Sequence, residues 1–415
     1  MRRVFWRLIP FLFLLYVCAY LDRVNLSFAA LSMRHNLGFS GTVYGAGAGL
    51  FFISYALFEV PANLVLLRIG PRRWIAIIMT AWGFLSSTMA LVHSPAGFYL
   101  VRFLLGAAEA GFFPGVILCF TRWFPAAHRA RAFALFIIAA PASGVIGAPI
   151  STLLLRLDGI AGLAGWKWLF LGEGVPSILL GIVAFFVLTD SPEQARWLSP
   201  FERQWLIAEV AAHAPHAVPT HLSHAFRSAA VWLLSAVYFA MSVAFYALSL
   251  WLPIVVKSLT HASDLRVIAI TTIPYAMAVA SMLLVARNSD RTGERKWHLF
   301  VCLVASGLAF LASAATANPL LALAALFLSA ACIWGAIGPF WTFPAFLLRG
   351  TAAAGGIAFI NSIGALGGFT GPYLMGVVVD LTHSFRTALL VTGVLLLVSA
   401  VIASRLKTPH VHAPQ

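Results

Sequence analysis

The sequence predicts an all-α membrane protein of twelve transmembrane helices in two six-helix halves, on three observations: an apolar composition, twelve long apolar runs and a biased distribution of basic loops. Of 415 residues 61% are hydrophobic and only 10% charged, where soluble domains carry about 25% charged residues. One water-soluble core cannot hide that much apolar surface, so the solvent for most of the chain is lipid. The runs lie near residues 8–31, 44–67, 73–92, 98–121, 131–154, 168–188, 229–252, 266–286, 298–317, 319–345, 352–376 and 385–404. Crossing a hydrocarbon core of about 30 Å takes roughly 17 to 25 helical residues, and short polar loops separate the runs.

The formal net charge of +14 does not point to nucleic acid, because such proteins gather basic residues on one solvated surface, and here they alternate along the chain. Two of the 27 Lys and Arg residues, Arg23 and Arg102, fall inside spans; counted from a cytoplasmic N-terminus, nineteen of the rest lie in inside segments and six outside. The six are Arg34, Arg156, Lys167, Lys257, Arg266 and Arg386. That bias obeys the positive-inside rule, which a missed or invented span in the middle would break. It leads to the expectation that both termini are cytoplasmic; the chain is further expected to be a monomeric, multi-pass protein of the bacterial inner (plasma) membrane. Arg2 and Arg3 before an apolar run mimic a signal peptide, but the run continues through Asp22 and Arg23 without a small-residue cleavage site and reads as the first span. The four cysteines (Cys18, Cys119, Cys302, Cys332) sit in apolar runs without metal-ligand spacing and read as small buried hydrophobes; no cofactor or metal is implied.

The longest polar stretch, 189–228, divides six spans from six. The expected domains are therefore an N-terminal bundle over 1–188, a cytoplasmic linker over 189–228, a C-terminal bundle over 229–405 and a tail over 406–415. A weak repeat crosses the divide. Gly70-Pro71-Arg72-Arg73 answers Gly293-Glu294-Arg295-Lys296 at an offset of 223 residues, Gly147-Ala148-Pro149 answers Gly371-Pro372 at the same offset, and Trp123-Phe124-Pro125 answers Trp341-Thr342-Phe343-Pro344 at 219. Duplicated halves with a site between them are an architecture in which one half rocks against the other. Within the linker, an amphipathic piece is expected near Pro200 to Ala212. Its irregularly spaced histidines (His213, His216, His221, His224), like His410 and His412 of the tail, read as solvated polar residues rather than a metal cluster.

Most ionisable groups lie at span edges, which singles out Asp22 and Arg23 in the first span and Arg102 and Glu109 in the fourth. Each costs about 2.5 to 3.5 kcal/mol to insert, and such residues usually face a cavity and work there. Arg102 and Glu109 are two turns apart on one face, roughly 10 Å along the axis, with Gly106 and Ala110 keeping the helix slim. Asp22 and Arg23 are adjacent, so they point about 100° apart and take different partners. An arginine presents a planar fork to a carboxylate. A carboxyl taken out of water pays to stay charged, which makes Asp22 and Glu109 candidates for binding and releasing protons. The competing reading is a charge network that only ties the two spans together. Glu59 and Glu173, each beside a proline or glycine (Glu59-Val60-Pro61; Glu173-Gly174-Val175-Pro176), read as structural. The arginine loops read as gates at the cytoplasmic face, through Arg72, Arg73, Asp290, Arg291 and Arg295, the second supplying acids beside its bases as an ion-paired latch would. No nucleophile and base recur at catalytic spacing, so the chain is not expected to be an enzyme.

Asp290-Arg291-Thr292-Gly293 followed by Arg295-Lys296 resembles the loop motif of the major facilitator superfamily; the first-half copy, Arg68-Ile69-Gly70-Pro71-Arg72-Arg73, lacks the aspartate. Tyr20-Leu21-Asp22-Arg23-Val24-Asn25, the stretch from Arg102 through Gly106, Glu109 and Phe113-Pro114-Gly115, and Asn361-Ser362-Ile363-Gly364 resemble its anion:cation symporter family, which includes sugar-acid, phthalate and tartrate permeases. The wording of Glu109-Ala110-Gly111-Phe112-Phe113-Pro114-Gly115 and Arg122-Trp123-Phe124-Pro125 is most similar to the tartrate branch. The resemblance implies a proton-coupled symporter that takes up a small organic carboxylate by alternating access. In it Asp22 and Glu109 carry protons, Arg23 and Arg102 meet the substrate, and Tyr20, Trp341 and Asn361 are further contacts. One departure concerns the substrate: Gly364-Ala365-Leu366-Gly367-Gly368 has alanine where many relatives have asparagine, which removes a hydroxyl partner and makes a less hydroxylated or aromatic acid a rival to a polyhydroxy acid. Two other readings compete, a proton-coupled drug or metabolite exporter of the same fold and a membrane sensor that binds an acid without moving it.

Overall fold

The computed structural model describes residues 1–212, 228–347 and 351–406. The histidines at 213, 216, 221, 224, 410 and 412, and Arg227, Arg349 and Lys407 among the inside basic residues, lie outside the described residues. Every regular element among those described is helical, and 12 helices are long and apolar enough to cross a membrane. They are α1 (Arg2–Leu37), α2 (Gly41–Ile69), α3 (Pro71–Thr88), α4 (Pro95–Glu109) with α5 (Phe112–Trp123), α6 (Ala126–Ile137) with α7 (Ala139–Leu155), α8 (Gly165–Val187), and, after the short α9 (Pro200–Ala212), α10 (Ala229–Thr260), α11 (Asp264–Thr292), α12 (Lys296–Ala315), α13 (Pro319–Leu347), α14 (Thr351–Thr382) and α15 (Arg386–Ser404). All twelve predicted spans are present. Several helices outrun their apolar runs, α1 at both ends and α10 past residue 252, because a helix satisfies its own backbone whatever side chains it carries and so continues past the hydrocarbon edge. The amphipathic piece is α9, opened by a capping box in which the Ser199 amide donates to Glu202 Oε2 (3.0 Å) and the Glu202 amide donates to Ser199 Oγ (3.2 Å).

Two of the spans are interrupted. The fourth pauses at Ala110 and Gly111, directly after Glu109, and the fifth at Ile138. At the first break the Gly111 carbonyl accepts from the Gly115 amide at 3.1 Å and, as a second donor, from the Trp74 indole N–H at 2.9 Å. A side chain at Gly111 would run into that indole.

The described residues fall into two compact units, one built from Met1–Asn25 and Ile53–Ala217 and the other from Leu26–Phe52 and Val218–Gln415. In the first, α3 and α8 approach closely because the contact is glycine on backbone. A Cβ at Gly83 would lie 2.7 Å from the Gly174 carbonyl oxygen, and one at Gly181 would lie 2.7 Å from the Thr80 nitrogen. Small residues at such seams replace the hydrophobic drive that lipid does not provide. In the second unit the start of α2 packs on α14 in the same manner, with Gly41 and Gly45 against the backbone of Gly376 and Pro372. Asp380, near the end of α14, accepts from the Gly41 and Thr42 amides, each at 2.7 Å. A carboxylate there satisfies two of the four free N–H groups that every helix start leaves.

The loops that carry the predicted repeat share a backbone feature. Gly70 (φ 84°) and Gly293 (φ 69°) both take positive φ, which glycine adopts without a Cβ penalty. Cys18, Cys119 and Cys302 are buried and Cys332 half-buried, all as free thiols, and no group of three potential metal ligands occurs among the described residues.

Candidate functional site

Within the first unit, α1 and α4 bring three of the predicted residues together. Arg23 donates from Nε to Glu109 Oε1 at 2.6 Å, and its Nη2 lies 2.5 Å from the same oxygen. The Arg23 side chain is 18% exposed and that of Glu109 only 2%, so the arginine fronts the pair and the acid lies behind it. The guanidinium carbon stands 5.9 Å from the Tyr20 ring centre and 5.4 Å from that of Tyr55, near enough for the ring faces to favour the cation. Arg102, buried at 3% exposure, also acts electrostatically on Glu109. A buried carboxylate paired with one guanidinium and under the charge of a second is the compensated arrangement that low dielectric demands.

Asp22 turns the other way, as adjacency on a helix requires, and takes different partners. Its Oδ1 accepts from Ser86 Oγ (2.7 Å) and Asn25 Nδ2 (3.4 Å), and its Oδ2 from Trp82 Nε1 (3.0 Å) and Ser177 Oγ (3.0 Å). These donors come from α1, α3 and α8, and no lysine, arginine or histidine pairs with Asp22 among the described residues. The two acids thus live in different environments: Glu109 is ion-paired, Asp22 is held by neutral donors.

Sequence reasoning missed Trp82, Ser86, Ser177 and Tyr55. A tryptophan and two serines inside apolar spans are common in any membrane protein, so only proximity separates these from the rest. The signal that was available is spacing: Ser86 lies one turn beyond Trp82 on α3, which puts both on one face.

The second unit holds Trp341 and Asn361. Trp341 on α13 packs edge-on against Tyr238 of α10 (5.0 Å between ring centres), which itself stacks on Phe340 at 5.1 Å. Gly364, three residues beyond Asn361 on α14, lies where a side chain would collide with the Tyr238 ring. Asn361 is half-buried.

The residues read as gates lie around two loops, Arg72 and Arg73 at the start of α3, Asp290 and Arg291 at the end of α11 and Arg295 just beyond it, each set within its own unit. At the start of α3 the Arg72 amide donates to Asp190 Oδ1 (2.9 Å), and its side chain donates from Nε to the Phe185 carbonyl (2.6 Å); Arg73 beside it is exposed. Asp190 here supplies a carboxylate to the loop whose sequence lacks one. In the other loop Arg295 Nη2 pairs with Asp290 Oδ1 at 2.5 Å and Nη1 donates to Ser289 Oγ at 3.0 Å, while Arg291 is exposed.

Twelve spans carrying a compensated charge cluster inside the membrane describe a polytopic membrane transporter rather than an enzyme. The chain belongs to the major facilitator superfamily, whose model matches residues 12–372. It is 47% identical over 411 residues to a protein of Agrobacterium vitis named "Putative tartrate transporter", covering 97% of this chain and 90% of that one. It is also 39% identical to the "Quinolone resistance transporter" of Acinetobacter baumannii, over 97% and 93% of the two chains. A crystal structure of a bacterial homologue of the human lysosomal transporter Spinster has the same fold, with a TM-score of 0.81 over 98% of each chain at 17% identity.

Proposed function

We propose that this transporter is a proton-coupled symporter that takes up a small organic carboxylate, tartrate or a related acid, in the bacterial inner membrane, with both termini cytoplasmic. The observation that carries this reading is the ion pair of Arg23 with Glu109, half-open on the arginine side and closed behind the acid. A substrate carboxylate and the Glu109 carboxylate are chemically alike and compete for one guanidinium. A proton on Glu109 removes its charge, frees Arg23 for the incoming anion and leaves the filled site with less net charge, which lowers the cost of enclosing it. Loss of the proton on the inside restores the Arg23–Glu109 pair and expels the substrate. Arg102 holds a second positive charge beside the pair, Asp22 is the other proton carrier, and Tyr20, Trp341 and Asn361 are the further contacts. Opening and closing rest on the two six-helix halves, with the Arg72, Arg73 loop and the Asp290, Arg291, Arg295 loop as cytoplasmic gates.

The 47% identical relative with a tartrate name supports the substrate class. The 39% identical relative with a drug-resistance name favours a second reading, proton-coupled export of a drug, against which stand the two arginines, since a pocket for cations calls for acids. The test is uptake and current in proteoliposomes under an inward proton gradient, screened over tartrates, sugar acids, aromatic acids and cationic drugs. Proton-dependent uptake of one class of carboxylate is expected. Glu109→Gln should abolish accumulation driven by the pH gradient and spare exchange of substrate across the membrane. Movement of cationic drugs alone would hand the protein to the exporter reading, and loss of both activities in folded Glu109→Gln protein would remove Glu109 from proton coupling.

A further inference from the structure

Behind Asp22 lies a second buried acid. Glu173 on α8 is 5% exposed. Its Oε1 accepts from Ser151 Oγ of α7 at 3.0 Å, while Oε2 has no hydrogen-bond partner. Asn25 of α1 lies within side-chain hydrogen-bonding reach of Glu173 and gives its amide N–H to Asp22 at 3.4 Å; its own Oδ1 is also without a partner. Ser177, one turn along α8, donates to Asp22 Oδ2 (3.0 Å) and approaches the Glu173 carbonyl (3.4 Å). Ser177 thus ties Asp22 to the backbone of Glu173, and Asn25 is held on Asp22 within reach of Glu173, which places both carboxyls in one buried region.

The charges around that region are all of one kind. From α1, Asp22 and Cys18 face Glu173 electrostatically, and Glu109 of α4 acts on Asp22; α3 contributes Trp82 and Ser86 to Asp22, and α7 contributes Ser151, all neutral. No lysine, arginine or histidine pairs with either acid among the described residues, whereas Glu109 has Arg23. Two negative charges in one uncompensated buried region repel each other and have no solvent to relieve them. Two acceptor oxygens without partners, Glu173 Oε2 and Asn25 Oδ1, are what a carboxyl proton would satisfy, since it turns an acceptor into a donor.

We propose that Asp22 and Glu173 form a two-carboxyl proton store, in which Glu173 adds a proton-binding position to those of Asp22 and Glu109. The store titrates as a pair, so its protons belong to both acids jointly. It has no cation for the substrate to displace, unlike Glu109, which divides the work: one acid is coupled to substrate through Arg23, and the pair is coupled to the proton gradient through the contact of α1 with α3 and α8. Its role in coupling rests on the symport reading above, but proton binding at Glu173 does not.

The experiment is pH-difference infrared spectroscopy of the full chain in proteoliposomes, comparing wild type, Glu173→Gln, Glu173→Asp and Asp22→Asn. The wild type should show a protonated-carboxyl C=O stretching band that disappears as pH rises; Glu173→Gln should lose part of it, and Glu173→Asp should keep the intensity at a shifted position. Gln is isosteric, and its amide N–H can serve the Asn25 oxygen, so folding should survive; the wild-type and Glu173→Asp spectra decide the matter if it does not. Identical band intensity in wild type and Glu173→Gln, or no titrating carboxyl band in wild type, would overturn the store and leave Glu173 a structural, water-bridged carboxylate. With tartrate as the probe, the proton-to-substrate ratio from reversal potentials should fall by about one proton in Glu173→Gln and recover in Glu173→Asp. An unchanged ratio would confine Glu173 to structure. A wild type without any proton-dependent tartrate current would count against the symport reading alone, since the infrared result stands without it.

Discussion

At the scale of single residues, the site turns on which acid holds which arginine. Arg23 sends two of its N–H donors to one oxygen of Glu109 with the rings of Tyr20 and Tyr55 beside it. Lysine would keep the charge and lose both the planar fork and the ring contacts. Charge-assisted hydrogen bonds are worth about 1.5 to 3 kcal/mol, so Arg23→Lys should weaken apparent substrate affinity by roughly 10- to 100-fold without unfolding the protein. Uptake kinetics beside a thermal melt check this, and an unchanged KM would mean that Arg23 is a tie between α1 and α4 and not a ligand. The sequence allowed this much: adjacency forced Asp22 and Arg23 apart, and heptad spacing put Arg102 and Glu109 on one face. It did not reveal that Glu109 takes Arg23 from another helix, because periodicity assigns a face and not the neighbour across it. For the same reason the hydrogen bond that Glu173 accepts from Ser151 of α7 was not legible in the sequence.

At the scale of elements, close helix seams carry the packing. Gly376 on α14 meets the backbone of Gly41 at the start of α2, and a Cβ there would lie 2.6 Å from the Gly41 carbonyl carbon and 3.0 Å from the Thr42 nitrogen. Backbone cannot move aside as a side chain can, and overpacking of this kind costs about 1 to 3 kcal/mol. Gly376→Ala should therefore lower the melting temperature in detergent and slow transport. Gly338→Ala on α13, where nothing lies within 4 Å of the new atom, should leave both unchanged. Equal melting of the two variants would show that α2 and α14 slide apart without cost. The number of spans was legible because twenty apolar residues in a row have few other uses. The pause in the fourth span after Glu109 was not legible, since Ala110 and Gly111 are ordinary helix residues in lipid and the feature that matters there is the Trp74 indole arriving from α3.

At the scale of the whole molecule, the charges outside the membrane do a different job from those inside it. Nineteen basic residues against six divide between alternate loops, and Lys and Arg retained on the cytoplasmic side set the orientation of a chain as it inserts. The two glycine-turn loops carry several of them: Arg72 and Arg73 in one, Arg291, Arg295 and Lys296 in the other. The loop between α1 and α2, residues 38–40, has none. The arrangement fixes an orientation that no single span could specify, because the helices themselves are apolar along most of their length. Alkaline phosphatase fused within residues 38–40 should be active and one fused after Gly293 inactive, with a fluorescent protein after Gln415 bright. The inverse pattern would overturn the cytoplasmic placement of both termini and put the Arg72, Arg73 and Arg291, Arg295 loops outside, where they could not serve as cytoplasmic gates.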